Sequence, residues 1–244
     1  MRDPATHDAS DDFVRLAITP ADRCVYLPDR DHRLSVHILL RHTRERFDDI
    51  LSRGFRRSGV VQYVPECPGG CTECVPIRVP VADFKPSKSQ RRVWKRCEGE
   101  FSVRFLPPSY SDEHFTLYNR HARHVSDSAP VAGRDEYVHF LVETPGDTWH
   151  VEYRLDRKLV GLGVLDVGQQ AASSVYFFWD PDHAEYGLGT YSALREIEWC
   201  REQGIGFYYL GYWIRDCASM SYKNRFRPFE LMDWKTNEWT RSDA

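Results

Sequence analysis

The densest chemistry in the chain is Cys67-Pro-Gly-Gly-Cys71-Thr-Glu-Cys74, three thiols in a glycine-containing loop with two of them spaced C-x-x-C. Soft thiolates at this spacing suit zinc or an iron–sulfur cluster. Either needs a fourth ligand, and Cys24 stands upstream as the candidate, so the metal-ligating set reads Cys24, Cys67, Cys71 and Cys74. A packed, reduced thiol cluster is the alternative. Cys97, Cys200 and Cys217 are scattered and read as small buried residues. Seven cysteines is an odd number, which speaks against a disulfide framework and for a reducing, cytoplasmic compartment.

Anion-binding chemistry is concentrated in a second stretch. Lys85, Lys88, Arg91, Arg92, Lys95 and Arg96 follow one another without an acid, although the whole chain carries a net charge of −3. Lys88, Arg91, Arg92 and Lys95 fall at spacings of three and four, so a helix would put them on one face, where they could track a phosphate backbone. A longer basic region, with six arginines against three acids, runs from Arg41 to Arg57. A third pattern is Tyr208-Tyr209-Leu210-Gly211-Tyr212-Trp213-Ile214, followed by Tyr222-Lys223 and Arg225-Phe226-Arg227-Pro228. Aromatics interleaved with bases can stack nucleobases while cations such as Lys223 hold phosphate. Finally, Gly187-Leu188-Gly189-Thr190 opens a helical pattern, and backbone N–H groups at such a turn can cradle an anion.

These residues need elements to hold them. A chain of 244 residues, 41% apolar and 14% aromatic, can build a sizeable core without metal or disulfide staples. No apolar run is long enough to cross a membrane, and no apolar leader follows Met1, so no membrane partner is expected. Residues 1–12 read as a flexible tail, 13–108 as an N-terminal region with the cysteine loop and basic helix, and 109–244 as a C-terminal domain. Phe13–Ile18 and Leu34–Leu40 read as strands and Thr43–Ser52 as a helix stopped by Gly54. Ile77–Val81 reads as a strand, at a sheet edge because of Pro80. Ser87 is the expected N-cap of the basic helix. Downstream, strands at Trp149–Leu155, Leu159–Leu165 and Ser174–Trp179 precede the glycine turn. A helix burying Leu188, Tyr191, Leu194 and Ile197 follows, then a strand at Phe207–Tyr212.

That order, three strands, Gly-x-Gly, helix and strand, resembles the core of the GCN5-related acyltransferase fold. The expected class is therefore mixed α/β, with two tightly packed acyltransferase-like units. Acyltransferases of that fold carry Arg or Gln three residues before the first glycine. Ala184 stands there, which argues against coenzyme A as the donor.

The motifs together resemble the aminoacyl-tRNA–protein transferase family, in its bacterial leucyltransferase branch. The likeness is carried by Tyr209-Leu210-Gly211-Tyr212-Trp213-Ile214, by Met220-x-Tyr222-Lys223-x-x-Phe226-Arg227-Pro228 and by Tyr176-x-Phe178-x-Asp180-Pro181-Asp182. It continues upstream through Cys24-Val25-Tyr26-Leu27-Pro28, Gly54-Phe55-Arg56-Arg57-Ser58, the cysteine loop and Phe84-Lys85-Pro86-Ser87-Lys88. What the resemblance implies is transfer of leucine from leucyl-tRNA to proteins beginning with Asp or Glu, creating an N-degron. Arginyl-tRNA as donor, an acyl-coenzyme A acyltransferase, and a non-catalytic RNA- or metal-binding module are the alternatives.

Such a transfer is aminolysis of an activated ester, so positioning supplies most of the catalysis and no cofactor is required for the chemistry. The acceptor α-amine titrates near 7.7–8.0 and can attack without a strong base. Backbone N–H groups around Gly187, Gly189 and Thr190 are candidate oxyanion donors. Tyr209, Tyr212, Tyr222 and His183 are candidates for assisting proton movement, with no base assigned. An acceptor carboxylate calls for arginine, and Arg56, Arg57, Arg78, Arg225 and Arg227 are the candidates.

Overall fold

A computed structural model describes residues 12–125 and 132–243. Residues 1–11 of the expected tail lie outside the described residues. In chain order, β1 (Phe13–Ile18), β2 (Asp22–Arg23), β3 (Asp31–His32) and β4 (Leu34–Leu39) lead to α1 (Arg44–Ser52). Then come β5 (Arg56–Ser58), β6 (Val61–Pro65), β7 (Val75–Pro80), α2 (Lys88–Cys97), β8 (Phe101–Leu106), α3 (Asp112–Val125) and α4 (Arg134–Tyr137). The rest is β9 (Thr148–Leu155), β10 (Lys158–Val167), β11 (Ala171–Trp179), α5 (Leu188–Glu202), β12 (Phe207–Trp213), α6 (Ala218–Ser221), β13 (Phe229–Met232) and β14 (Trp239–Ser242).

Two sheets carry the molecule. The smaller has the order β1-β4-β6-β5, and the larger the order β14-β13-β7-β12-β11-β10-β9-β8. The fold is mixed α/β, with the expected acyltransferase-like sequence of elements: antiparallel β9, β10 and β11, then the glycine turn, α5 and β12. Asp156 and Arg157, both at positive φ, close the β9–β10 hairpin as a two-residue turn. One large sheet runs through both halves of the chain, because β7 and β8 from upstream of residue 108 join the strands from downstream of it.

Side chains cover the large sheet on both faces. Leu188, Tyr191, Leu194 and Ile197 of α5 are all at most 3% exposed and meet Val151, Tyr153 and Leu165. Burying each such aliphatic chain stabilises by about 1.5–3 kcal/mol. Leu117 of α3, with Tyr137 and Leu141, covers the opposite face at Leu162, Val164 and Phe178. Every residue of β10 except Lys158 is buried, as a strand covered on both sides requires.

The expectation that β7 is an edge strand is wrong: it lies between β12 and β13. Its prolines are tolerated because β13 pairs only with Ile77 and Arg78, so neither Pro76 nor Pro80 owes β13 an N–H.

One pairing positions the site. β11 and β12 are parallel and match only at Ala171–Phe207, Ala172–Tyr208 and Ser173–Tyr209. Both strands continue beyond that point, so they part into a wedge. The break coincides with a register shift of β12 against β7 at Tyr209/Gly211, where Gly211 takes φ +90°. Since β11 runs on into the glycine turn, the wedge opens toward the end of the sheet where α5 begins.

Candidate functional site

The basic helix forms as its sequence dictates. Ser87 Oγ accepts from the Gln90 N–H at 3.3 Å while Gln90 Oε1 accepts from the Ser87 N–H at 2.8 Å, a complete capping box. Lys85, Lys88, Arg91, Arg92, Lys95 and Arg96 are all exposed. Trp94 turns inward against Tyr191 and under the Arg195 guanidinium. Gln90 Nε2 also donates to the Arg225 carbonyl, and the Lys85 N–H to the Arg227 carbonyl, so exposed Arg225 and Arg227 sit at the start of the basic row. The other end of α2 reaches the glycine turn. Arg96 donates to the Glu185 carbonyl, and Val93 lies 3.5 Å from where a Gly187 side chain would begin.

At that turn Gly187 has φ +69° and caps α5. Its own N–H donates to the Ala184 carbonyl at 3.0 Å, and the Thr190 N–H donates to the Gly187 carbonyl at 2.9 Å. Two of the three expected backbone donors are therefore engaged within the turn. Gly189 faces open space, with nothing within 4 Å of a notional side chain.

The arginines separate by the alternation of β5. Arg57 is buried and grips Asp166 with two N–H donors, at 2.5 and 2.8 Å. Arg56 points the other way into the wedge, donating to Ser173 Oγ and to the Ser174 carbonyl, its guanidinium lying over Gly211. Arg78 is held by Glu230 at 2.7 Å and by Tyr209 Oη at 2.9 Å, between the rings of Phe207 and Trp239. Lys223, expected on a phosphate-facing surface, is instead 8% exposed. It donates to the Tyr212 carbonyl at 2.8 Å and to Met220 Sδ at 3.1 Å. Burial, then the charge of Arg56, pulls its pKa down to about 7.

The candidate proton carriers do not converge. Tyr209 is fixed by Arg78, and Tyr212 is buried with its hydroxyl donating to the Gly54 carbonyl at 3.0 Å. Tyr222 is 37% exposed, within electrostatic reach of Glu196. His183 Nδ1 lies 3.4 Å from Asp180, beside the glycine turn.

The four candidate metal ligands do share a place. Cys24, Cys67, Cys71 and Cys74 line one cavity of about 170 Å³, walled also by Tyr63 and Tyr212. Burial, then the neighbouring thiols, pushes Cys74 up to about 12. Arg30 donates to Cys71 Sγ and Glu73, each at 3.4 Å. Among the described residues, no three His, Cys, Asp or Glu side chains are grouped so as to hold a metal ion as they stand.

Two carboxyls of the site were not among the candidate site residues, although Asp180 stood in one of the motifs. Asp180, 1% exposed, accepts from Lys158 at 2.7 Å and Arg120 at 2.9 Å. Burial would raise its pKa, but these cations hold it below the usual range. Glu196 is wholly buried at the foot of the wedge and accepts from Tyr208 Oη at 2.6 Å. Burial raises it to about 7, against the hydrogen bonds of Tyr208 and Ser174. The signal for Glu196 was its place four residues from Ser192 and Cys200, both buried on the same stripe of α5.

Comparison with known proteins decides the family. The models of the arginine-tRNA-protein transferase N terminus and C terminus match residues 22–92 and 113–233. The aspartate/glutamate leucyltransferase of Stenotrophomonas maltophilia strain R551-3 is 41% identical over 240 residues, 94% of each chain. That of Hahella chejuensis is 37% identical over 223 residues, 88% of this chain and 92% of its own. The chain belongs to the arginine-tRNA-protein transferase family. It is an enzyme that transfers an aminoacyl group from tRNA to protein, a reading favoured over coenzyme A chemistry. The C-terminal domain of a putative lysylphosphatidylglycerol synthetase from Agrobacterium fabrum is a partial structural likeness. It is 14% identical with a TM-score of 0.46, over 58% of this chain and 47% of that one.

Proposed function

We propose that this transferase joins leucine from leucyl-tRNA to the α-amine of cytoplasmic proteins whose first residue is Asp or Glu. The product is a destabilising N-terminus, read by the N-degron route to proteolysis. The observation that carries the reading is the match, along nearly the whole chain, to relatives named aspartate/glutamate leucyltransferase. The exposed basic row of α2 supports it, since it runs from Arg225 and Arg227 to the glycine turn and offers a track for the acceptor arm of tRNA. Among the described residues no helix is long and apolar enough to cross a membrane.

In the reaction the acceptor amine attacks the ester carbonyl carbon. A C–N bond forms, the bond between the acyl carbon and the ribose oxygen breaks, and the amine's proton ends on that oxygen. Holding two bound ends together in one wedge supplies the main rate gain. With the Gly187 and Thr190 N–H groups engaged within the turn, the Gly189 N–H at the start of α5 is proposed to meet the oxyanion. No step passes through the cysteine cavity. Its four thiols are proposed as a structural centre for zinc or an iron–sulfur cluster, which would require them to draw together.

The test offers purified protein separately charged leucyl- and arginyl-tRNA with peptides beginning Asp, Glu, Lys or Ala. Leucine on the Asp and Glu peptides alone is expected. Equal labelling of the Ala peptide, or arginine transfer without leucine transfer, overturns the proposal. For the cysteines, protein purified anaerobically should carry zinc or iron, and Cys71→Ser with Cys74→Ser should release it and lower thermal stability. Wild-type protein holding neither metal would leave a packed thiol cluster.

A further inference from the structure

Of the candidate arginines Arg56 and Arg57 on β5 and Arg78 on β7, two have their anions. Arg57 has Asp166 and Arg78 has Glu230. Arg56 has none: its acceptors are the Ser173 hydroxyl and the Ser174 carbonyl, both neutral. Lys223 has no carboxylate either: its acceptors are the Tyr212 carbonyl and the Met220 sulfur, with the Cys74 and Cys217 thiols within electrostatic reach. The two cations stand within electrostatic reach of each other, one half-buried and one buried. Taking cations out of water without a counter-charge is costly, and that cost favours the neutral Lys223 amine; an arriving anion would offset it and restore the ammonium. Donors remain for it. A guanidinium has five N–H groups and an ammonium three, and only two of each are committed. Gly211 keeps the space clear, because a Cβ there would come within 3.3 Å of the Arg56 guanidinium.

We propose that Arg56 and Lys223 together form the pocket that receives the side-chain carboxylate of the acceptor's first residue. The proposal rests on the acidic-acceptor reading above and gives it a residue basis. Arg56 would take one carboxylate oxygen and Lys223 the other, leaving the acceptor's α-amine in the wedge beyond Ser173 and Tyr209. A carboxylate fits this place better than a tRNA phosphate. It ends a thin side chain that can enter a narrow wedge, whereas a phosphodiester carries a ribose on each side and finds its partners on the exposed face of α2. Arg225 and Arg227, exposed beside that face, belong with the tRNA track on this view.

The experiment compares kcat/KM for peptides that begin with Asp and with its neutral isostere Asn, and also measures KM for leucyl-tRNA. Lys223→Met and Arg56→Gln should each lower kcat/KM for the Asp peptide by roughly thirtyfold or more, through KM, since each removes one partner of a buried charge pair. The Asn peptide and KM for leucyl-tRNA should be unmoved, so the Asp preference collapses. Lys223→Met replaces a buried amine by an apolar chain of similar length, so it decides the matter alone should Arg56→Gln fail to fold. Equal losses for the two peptides would show a purely structural role and overturn the proposal. A raised KM for leucyl-tRNA with the Asp preference intact would overturn it in favour of a tRNA phosphate. Wild-type protein with no Asp preference would sink the acidic-acceptor reading itself. Wild-type preference that survives in both variants would sink this pocket alone.

Discussion

Glu196 shows how much one side chain can depend on its burial. Its carboxyl titrates near 7 in the fold and near 4.5 when free. The folded state therefore holds a proton that the unfolded chain has lost between those values. The stability this contributes is complete below about pH 4.5 and fades as pH rises through 7. Glu196→Gln keeps the shape and removes the titration, so its thermal midpoint should fall less than the wild type's between pH 5 and pH 8. Parallel curves for the two proteins would mean that Glu196 ionises normally. Asp166 bears instead on a buried ion pair. Its side chain is 7% exposed and that of Arg57 3%. Asp166→Asn leaves a buried guanidinium without its counter-charge and should cost about 3–5 kcal/mol in denaturant unfolding. A loss under about 1 kcal/mol would show that solvent reaches the pair. The partner of Asp166 could not be read from the sequence. Arg56 and Arg57 look alike there, and only the alternation of a three-residue strand, with partners more than a hundred residues away, gives them different work.

Elements were more legible than their neighbours. The capping box at Ser87, the end of α1 before Gly54 and the apolar stripe of α5 are local signals, and each stands where the residues put it. The setting of β7 was not local. Its prolines point to an edge, and only the shortness of β13 lets the strand sit inside. For α2 the prediction concerns the row of cations. Arg91→Ala with Arg92→Ala should weaken binding of uncharged tRNA and flatten the log–log salt dependence by roughly one to two units. The effect should be similar for any tRNA, because phosphate contacts carry no base sequence. Unchanged affinity and slope would move the tRNA to the basic region from Arg41 to Arg57.

Across the whole molecule, the large sheet ties the two halves together. β7 pairs with β12 along its whole length and with β13 at Ile77 and Arg78. Residues 109–244 made alone would leave β12 and β13 with an open slot between them and the buried faces of Tyr208 and Phe229 exposed. That fragment should show no cooperative unfolding, and co-expression with residues 1–108 should restore both solubility and transfer. A fragment 109–244 that melts cooperatively by itself would refute this.

The same strand sets a clock on synthesis. Val75–Pro80 leaves the ribosome early, while the partners on either side of it, from Phe207 and from Phe229 onward, are among the last residues made. For most of translation β7 has both hydrogen-bonding edges bare and Ile77 and Val79, fully buried in the end, still uncovered. A chain stalled before residue 207 cannot close its main sheet, so it presents an apolar strand to any chaperone or protease at hand.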